Sequence, residues 1–136
     1  MKGIVLSALA LAVAGSAHGA DALLCTEQNA QGFRYEAGRW QPTEVKSNRT
    51  YLVTRSQRPE TAWEVDLQGS GLRVLCENDF NGDGLTRCKG LFTFALSDSN
   101  NFMVIHDVPY TLHLMEQKDK RAYTPYIGTG KCVPAQ

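Results

Sequence analysis

Four cysteines, Cys25, Cys76, Cys88 and Cys132, constrain this chain more than any other feature. The middle two flank "NDFNGDG", residues 78–84. Asn-Gly and Asp-Gly tolerate positive φ and are strong signals for a tight hairpin. If that hairpin is centred on Gly82, residues whose numbers sum to 164 face each other, and Cys76 and Cys88 satisfy the condition. The same register sets Val74 against Gly90 and Leu72 against Phe92. Directly opposed strand residues lie about 4.5–5.5 Å apart at Cα, a span that a disulfide bridges. The expected bonds are therefore Cys76–Cys88 and, by elimination, Cys25–Cys132. A zinc site needs close pairs such as C-x2-C, whereas the spacings here are 51, 12 and 44.

Disulfides require an oxidising compartment, and the start of the chain agrees. Lys2 precedes the apolar run "GIVLSALALAVAG", which gives way to the small residues "SAHGA". That layout reads as a secretory signal peptide over residues 1–20, cleaved after Gly19 or Ala20. The apolar run falls short of the ~20 residues that span a bilayer. Leu24 stands where a lipid-attachment signal needs a small residue, so Cys25 reads as a disulfide partner. One domain over 21–136 remains, with 13 basic and 14 acidic residues once Lys2 is removed. That balance points to neither nucleic acid nor an anionic membrane surface, and no second apolar run is long enough to span a membrane. The expected location is periplasmic or secreted.

Beyond Leu24 the apolar residues recur with a period of two, the mark of strands. The runs are 50–55, 62–67, 72–77, 86–96, 102–106, 110–115 and 124–132, with an early hairpin over 32–41 turning at Ala37 and Gly38. In "AWEVDL" Trp63, Val65 and Leu67 share one face, while Glu64 and Asp66 take the other. In 86–96 Cys88, Gly90, Phe92, Phe94 and Leu96 fall together. Turn-rich segments separate the runs at roughly ten-residue intervals. An all-β fold is expected: a single small antiparallel meander, barrel or sandwich stapled by two disulfides.

The turn itself could hold a metal. Asp79, Asn81 and Asp83 alternate ahead of Gly84 like the first half of a calcium loop. A complete EF-hand loop places a bidentate Glu at its twelfth position. Counting from Asp79 that position is Gly90, and no carboxylate lies between Asp83 and Gly90. The hairpin reading is preferred and no metal or cofactor is expected; these three side chains remain weak candidates that need ligands from elsewhere.

Catalytic motifs are missing. No serine stands in a G-x-S-x-G elbow, and there is no H-E-x-x-H and no phosphate-binding glycine loop. His106 is expected opposite Phe92, at the end of the core and satisfied by a backbone carbonyl. Asp107 alternates to the other face, and His113 is expected in solvent. "FRYEAGRWQ" offers Arg34, Tyr35, Arg39 and Trp40 as a candidate aromatic and basic recognition patch, since Arg and Trp are enriched at binding hot spots. "GRW" (38–40) also resembles the G-x-W near the start of lipocalin-like barrels, on a chain short for that fold.

The Cys76–Cys88 spacing, Trp40-x-Pro42-Thr43 and the ending "TPYIGTGKC" are similar to small exported bacterial proteins with four cysteines and no assigned activity. The resemblance implies a bacterial envelope setting and two disulfides, and carries no catalytic residue. The expected function is a non-catalytic module that binds an envelope protein or a small ligand. The alternatives are a hydrolase whose carboxylates converge only in the fold, with two acids ~5–10 Å apart, and a calcium-stabilised surface protein.

Overall fold

Alternation carries the described residues through nine antiparallel strands. The structure, a computed structural model, describes residues 21–107 and 124–135. The leader at 1–20, the run at 110–115 and His113 lie outside the described residues. The strands are β1 (Ala22–Glu36), β2 (Arg39–Glu44), β3 (Thr50–Arg55), β4 (Trp63–Leu67), β5 (Leu72–Cys76), β6 (Leu85–Lys89), β7 (Thr93–Ser97), β8 (Asn101–His106) and β9 (Tyr126–Pro134). They run in the order β2-β1-β3-β4-β5-β6-β7-β8-β9, and β9 pairs back onto β1. The result is an eight-stranded antiparallel barrel with β2 as an extra strand. Closure removes the edges of the eight barrel strands, and among the described residues leaves an outer edge on β2.

Both disulfides are present as expected, Cys76–Cys88 and Cys25–Cys132. Each joins directly opposed residues, across β5–β6 and across β1–β9. They agree with an oxidising environment. Among the described residues no helix is long and apolar enough to cross a membrane.

The run at 86–96 is two strands, not one. Register 164 holds for Leu75↔Lys89 and Cys76↔Cys88, and the ladder then stops. The chain reverses over 90–92, and β7 pairs antiparallel to β6 with Cys88 opposite Phe94. Leu72 and Phe92 are therefore not partners. Phe92 instead turns fully into the barrel while Leu91 is exposed. Every second residue still faces inward on both sides of the turn, so burial of Cys88, Phe92, Phe94 and Leu96 matches the single-strand pattern.

An eight-stranded barrel has an interior just wide enough for side chains to fill. Here Trp63, Tyr51, Phe92, Phe94, Leu23, Leu96 and four valines fill it, all essentially without solvent contact. Tyr51 lies 5.4–5.7 Å from Phe94, Phe92 and Phe102, ring centre to ring centre. Burial of each large apolar side chain contributes roughly 1.5–3 kcal/mol. Glycines on β9 make room for the neighbours. A Cβ on Gly130 would sit 2.0 Å from the Thr26 carbonyl oxygen, and one on Gly128 would sit 3.0 Å from the Glu27 carboxyl carbon.

Strand β1 is the spine. Its first part pairs with β3, its middle with β9, and its end with β2. Leu23, Cys25 and Glu27 face the interior; a bulge between Glu27 and Asn29 then shifts the register so that Ala30 and Gly32 face inward. Beyond Gly32 the strand passes the start of β9 and continues with β2 as a two-stranded hairpin.

A buried polar cluster and an outward-facing hairpin as candidate functional site

Glu27 is the one buried carboxylate among the described residues, and a cluster of polar groups is built around it. Four elements meet there. β1 contributes Glu27, the start of β3 contributes Tyr51, the end of β8 contributes His106, and the start of β9 contributes Tyr126, which pairs with His106 across the ladder. Arg49 arrives from the segment just before β3.

The hydrogen bonds have a direction. The Tyr51 hydroxyl donates to Glu27 Oε1 at 2.5 Å, and the Tyr126 hydroxyl donates to the same oxygen at 2.9 Å. Tyr51 has no second proton, so its 2.8 Å contact with His106 Nε2 must be donated by the imidazole. Arg49 Nη1 donates to the Tyr126 oxygen at 2.5 Å and its guanidinium lies 5.1 Å from that ring's centre. Two chains of donors thus converge on one carboxylate oxygen. Glu27 Oε2 is buried with no hydrogen-bond donor among the described residues.

Burial and then the Arg49 charge lower the His106 pKa to about 4, which keeps the ring neutral at pH 7. Burial, and then the bond to Glu27, raises that of Tyr51; burial also raises that of Tyr126. Both phenols are therefore held as donors. The imidazole stacks between Phe92 and Tyr126, at 5.1 and 4.7 Å. His106 is where the alternation placed it, beside Phe92, but its partner is a tyrosine hydroxyl rather than a backbone carbonyl. The arrangement fixes protons in place; a hydrolytic pair would need a second carboxylate beside Glu27.

The hairpin turns at Ala37 and Gly38, as expected, both with positive φ (51° and 78°). Its register pairs Tyr35 with Trp40 and Phe33 with Pro42 on the outer face, where the Tyr35 and Trp40 rings meet edge to face at 5.3 Å. Arg34 and Arg39 fall on the opposite face, in register with Gln41 and Glu36. Arg34 also contacts Glu36 at 3.5 Å, with both side chains exposed. The four residues singled out from sequence are thus divided, aromatic on one side and basic on the other. Phe33, 51% exposed, joins the aromatic side.

In the 78–84 turn the carboxylates are already engaged. Asp79 accepts from Arg55 at 2.6 Å, from the Trp63 indole N–H at 3.0 Å and from the Phe80 N–H at 2.9 Å. Arg55 lies 4.0 Å above the Trp63 ring. Partial burial would raise the Asp79 pKa, but these donors outweigh it and hold the carboxyl at about 2. Asp83 accepts from Arg87 at 2.8 Å, which lowers its pKa, and from the Leu85 N–H. Asn81 closes the turn through its backbone, to Leu85 and Gly84. Among the described residues no three His, Cys, Asp or Glu side chains gather as metal ligands.

Comparison with known proteins returns no match to any family model, curated protein or solved structure. Sequence reasoning missed Glu27, Arg49, Tyr51 and Tyr126. Glu27 sits in register with Leu23 and Cys25 on an inward face, and an acid in an apolar alternation was the available signal.

Proposed function

We propose that this protein is a non-catalytic binding module exported to the bacterial envelope, and that its contact surface is the outer face of the β1–β2 hairpin. One observation carries the reading. Phe33, Tyr35, Trp40 and Pro42 form a contiguous apolar face outside a barrel whose core is already filled. Ile127, 48% exposed and directly opposite Gln31, extends that face onto β9. Phe33 is exposed, with Tyr35 and Trp40 half-buried beside it; apolar surface of this kind marks interaction sites, and aromatic side chains supply contact area at low entropic cost. The leader-like start and the two disulfides support export, and the resemblance to small exported bacterial proteins supports the envelope setting.

The test is capture from an envelope fraction with the tagged, disulfide-bonded protein. A stoichiometric partner should be retained by wild type and by Arg34→Ala, and lost with Phe33→Ala or Trp40→Ala. Retention by all the variants would refute the assignment of the surface.

A further inference from the structure

The β1 bulge opens a groove in the barrel wall. On one side runs β1 at Gln28–Gln31, on the other the segment from Glu44 to Asn48 that leads from β2 towards β3. Backbone bonds bridge the two at either end, Glu27 N–H to Arg49 O at 3.0 Å and Val45 N–H to Ala30 O at 3.4 Å. Between them lies a groove of about 560 Å³. Side-chain amides and a hydroxyl dominate its rim, from Gln28, Asn29, Gln31, Asn48 and Ser47, and its charges, Glu44 and Lys46, cancel.

The outward face of the hairpin continues past the groove's end at Gln31 and Glu44. Gln31 and Glu44 are opposed in register, and the next outward-facing pairs are Phe33 with Pro42 and Tyr35 with Trp40. From Gln31 to Glu36 the strip runs about 17 Å at ~3.4 Å per residue. A rim of groups that both donate and accept thus adjoins an aromatic face.

A pyranose has the matching chemistry. Its equatorial hydroxyls both donate and accept, as amides do, and its axial C–H face is apolar and stacks on aromatic rings. Charge neutrality of the groove argues against an anionic polymer. The β2 edge argues against an added peptide strand. With Glu36 and Arg39 closing a two-residue hairpin, the outward backbone groups belong to Trp40, Pro42 and Glu44. Pro42 has no N–H, so the edge is interrupted at its centre.

We propose that the bulge groove and the adjoining aromatic strip bind a neutral pyranose oligosaccharide. This inference rests on the hairpin's outer face being the contact surface. Tryptophan fluorescence offers a direct readout, because Trp63 is fully buried and only Trp40 lies on the strip. Chitotetraose, cellotetraose and maltotetraose are titrated into the disulfide-bonded protein, with tetragalacturonate as the anionic control. At least one neutral tetrasaccharide should give a saturable change and the control none. By calorimetry Asn48→Ala and Phe33→Ala should each weaken that binding by roughly 3- to 10-fold. Equal binding by both variants, or no saturable change with any neutral tetrasaccharide at millimolar concentration, overturns the proposal. If the saccharides fail while Phe33→Ala and Trp40→Ala still abolish envelope capture, only the saccharide assignment falls. If capture is insensitive to them as well, the surface itself is wrong.

Discussion

Tyr51→Phe removes one buried oxygen and leaves the ring. The ring is fully buried among Phe92, Phe94 and Phe102, so its packing survives the change. Two hydrogen bonds do not: the one donated to Glu27 and the one accepted from His106. A hydrogen bond to a charged group contributes about 1.5–3 kcal/mol, and a stranded buried donor costs about 1–3. His106 keeps some access to solvent, so its share falls at the low end. The sum is about 2–4 kcal/mol. For a domain of this size about 4 °C corresponds to 1 kcal/mol, which gives a drop in Tm of about 8–16 °C. Urea unfolding, followed by the fluorescence of buried Trp63 with disulfides intact, measures the loss at unchanged m value. A double-mutant cycle with Glu27→Gln should show coupling above about 1 kcal/mol, as expected for side chains in one network. A loss below about 0.5 kcal/mol, or additivity within that amount, would refute the converging-donor network.

Acidification should weaken the fold through His106. Unfolded, it takes up a proton below pH 6.5; folded, only below about 4. Its contribution is therefore complete above 6.5 and is lost as pH falls towards 4. That depression equates to about 3 kcal/mol, and solvent screening at the barrel end reduces the expectation to about 1–2. Urea midpoints for wild type and His106→Gln at pH 7 and pH 4.5 isolate it; equal pH losses in both would rule it out. The two disulfides should differ in worth, since Cys25–Cys132 spans 107 residues and Cys76–Cys88 spans 12. On the chain-entropy account, replacing the first pair with serines costs about 2 kcal/mol more than replacing the second, and paired denaturation curves test the order. Gly130→Ala places a methyl against the Thr26 carbonyl and Phe102, so it should cost about 3 kcal/mol, read as a lower urea midpoint. An unchanged midpoint would show that β9 can retreat from β1.

Several particulars mark where the amino-acid pattern was sufficient and where it was not. The Ala37–Gly38 turn, the cysteine pairings and the strands at 50–55, 63–67 and 72–76 were legible because each depends on neighbours in sequence or on one hairpin register. The division at 90–92 was not, because alternation continues across a turn that keeps the same residues inward. The first half of β1 escaped notice for a related reason: a buried Glu27 and a bulge break the apolar period.

The residues by themselves determined a β architecture, two staples and the identity of most core side chains, since burial of alternate positions follows from the period-two geometry of a strand. Only the tertiary structure decided barrel closure, because pairing of β9 with β1 joins residues about a hundred positions apart. That closure brings Glu27, Arg49, Tyr51, His106 and Tyr126 to one end, from four elements that local sequence leaves independent. It also decided which face of the β1–β2 hairpin looks outward, whereas strand alternation alone sets Arg34 and Arg39 on the face opposite Tyr35 and Trp40.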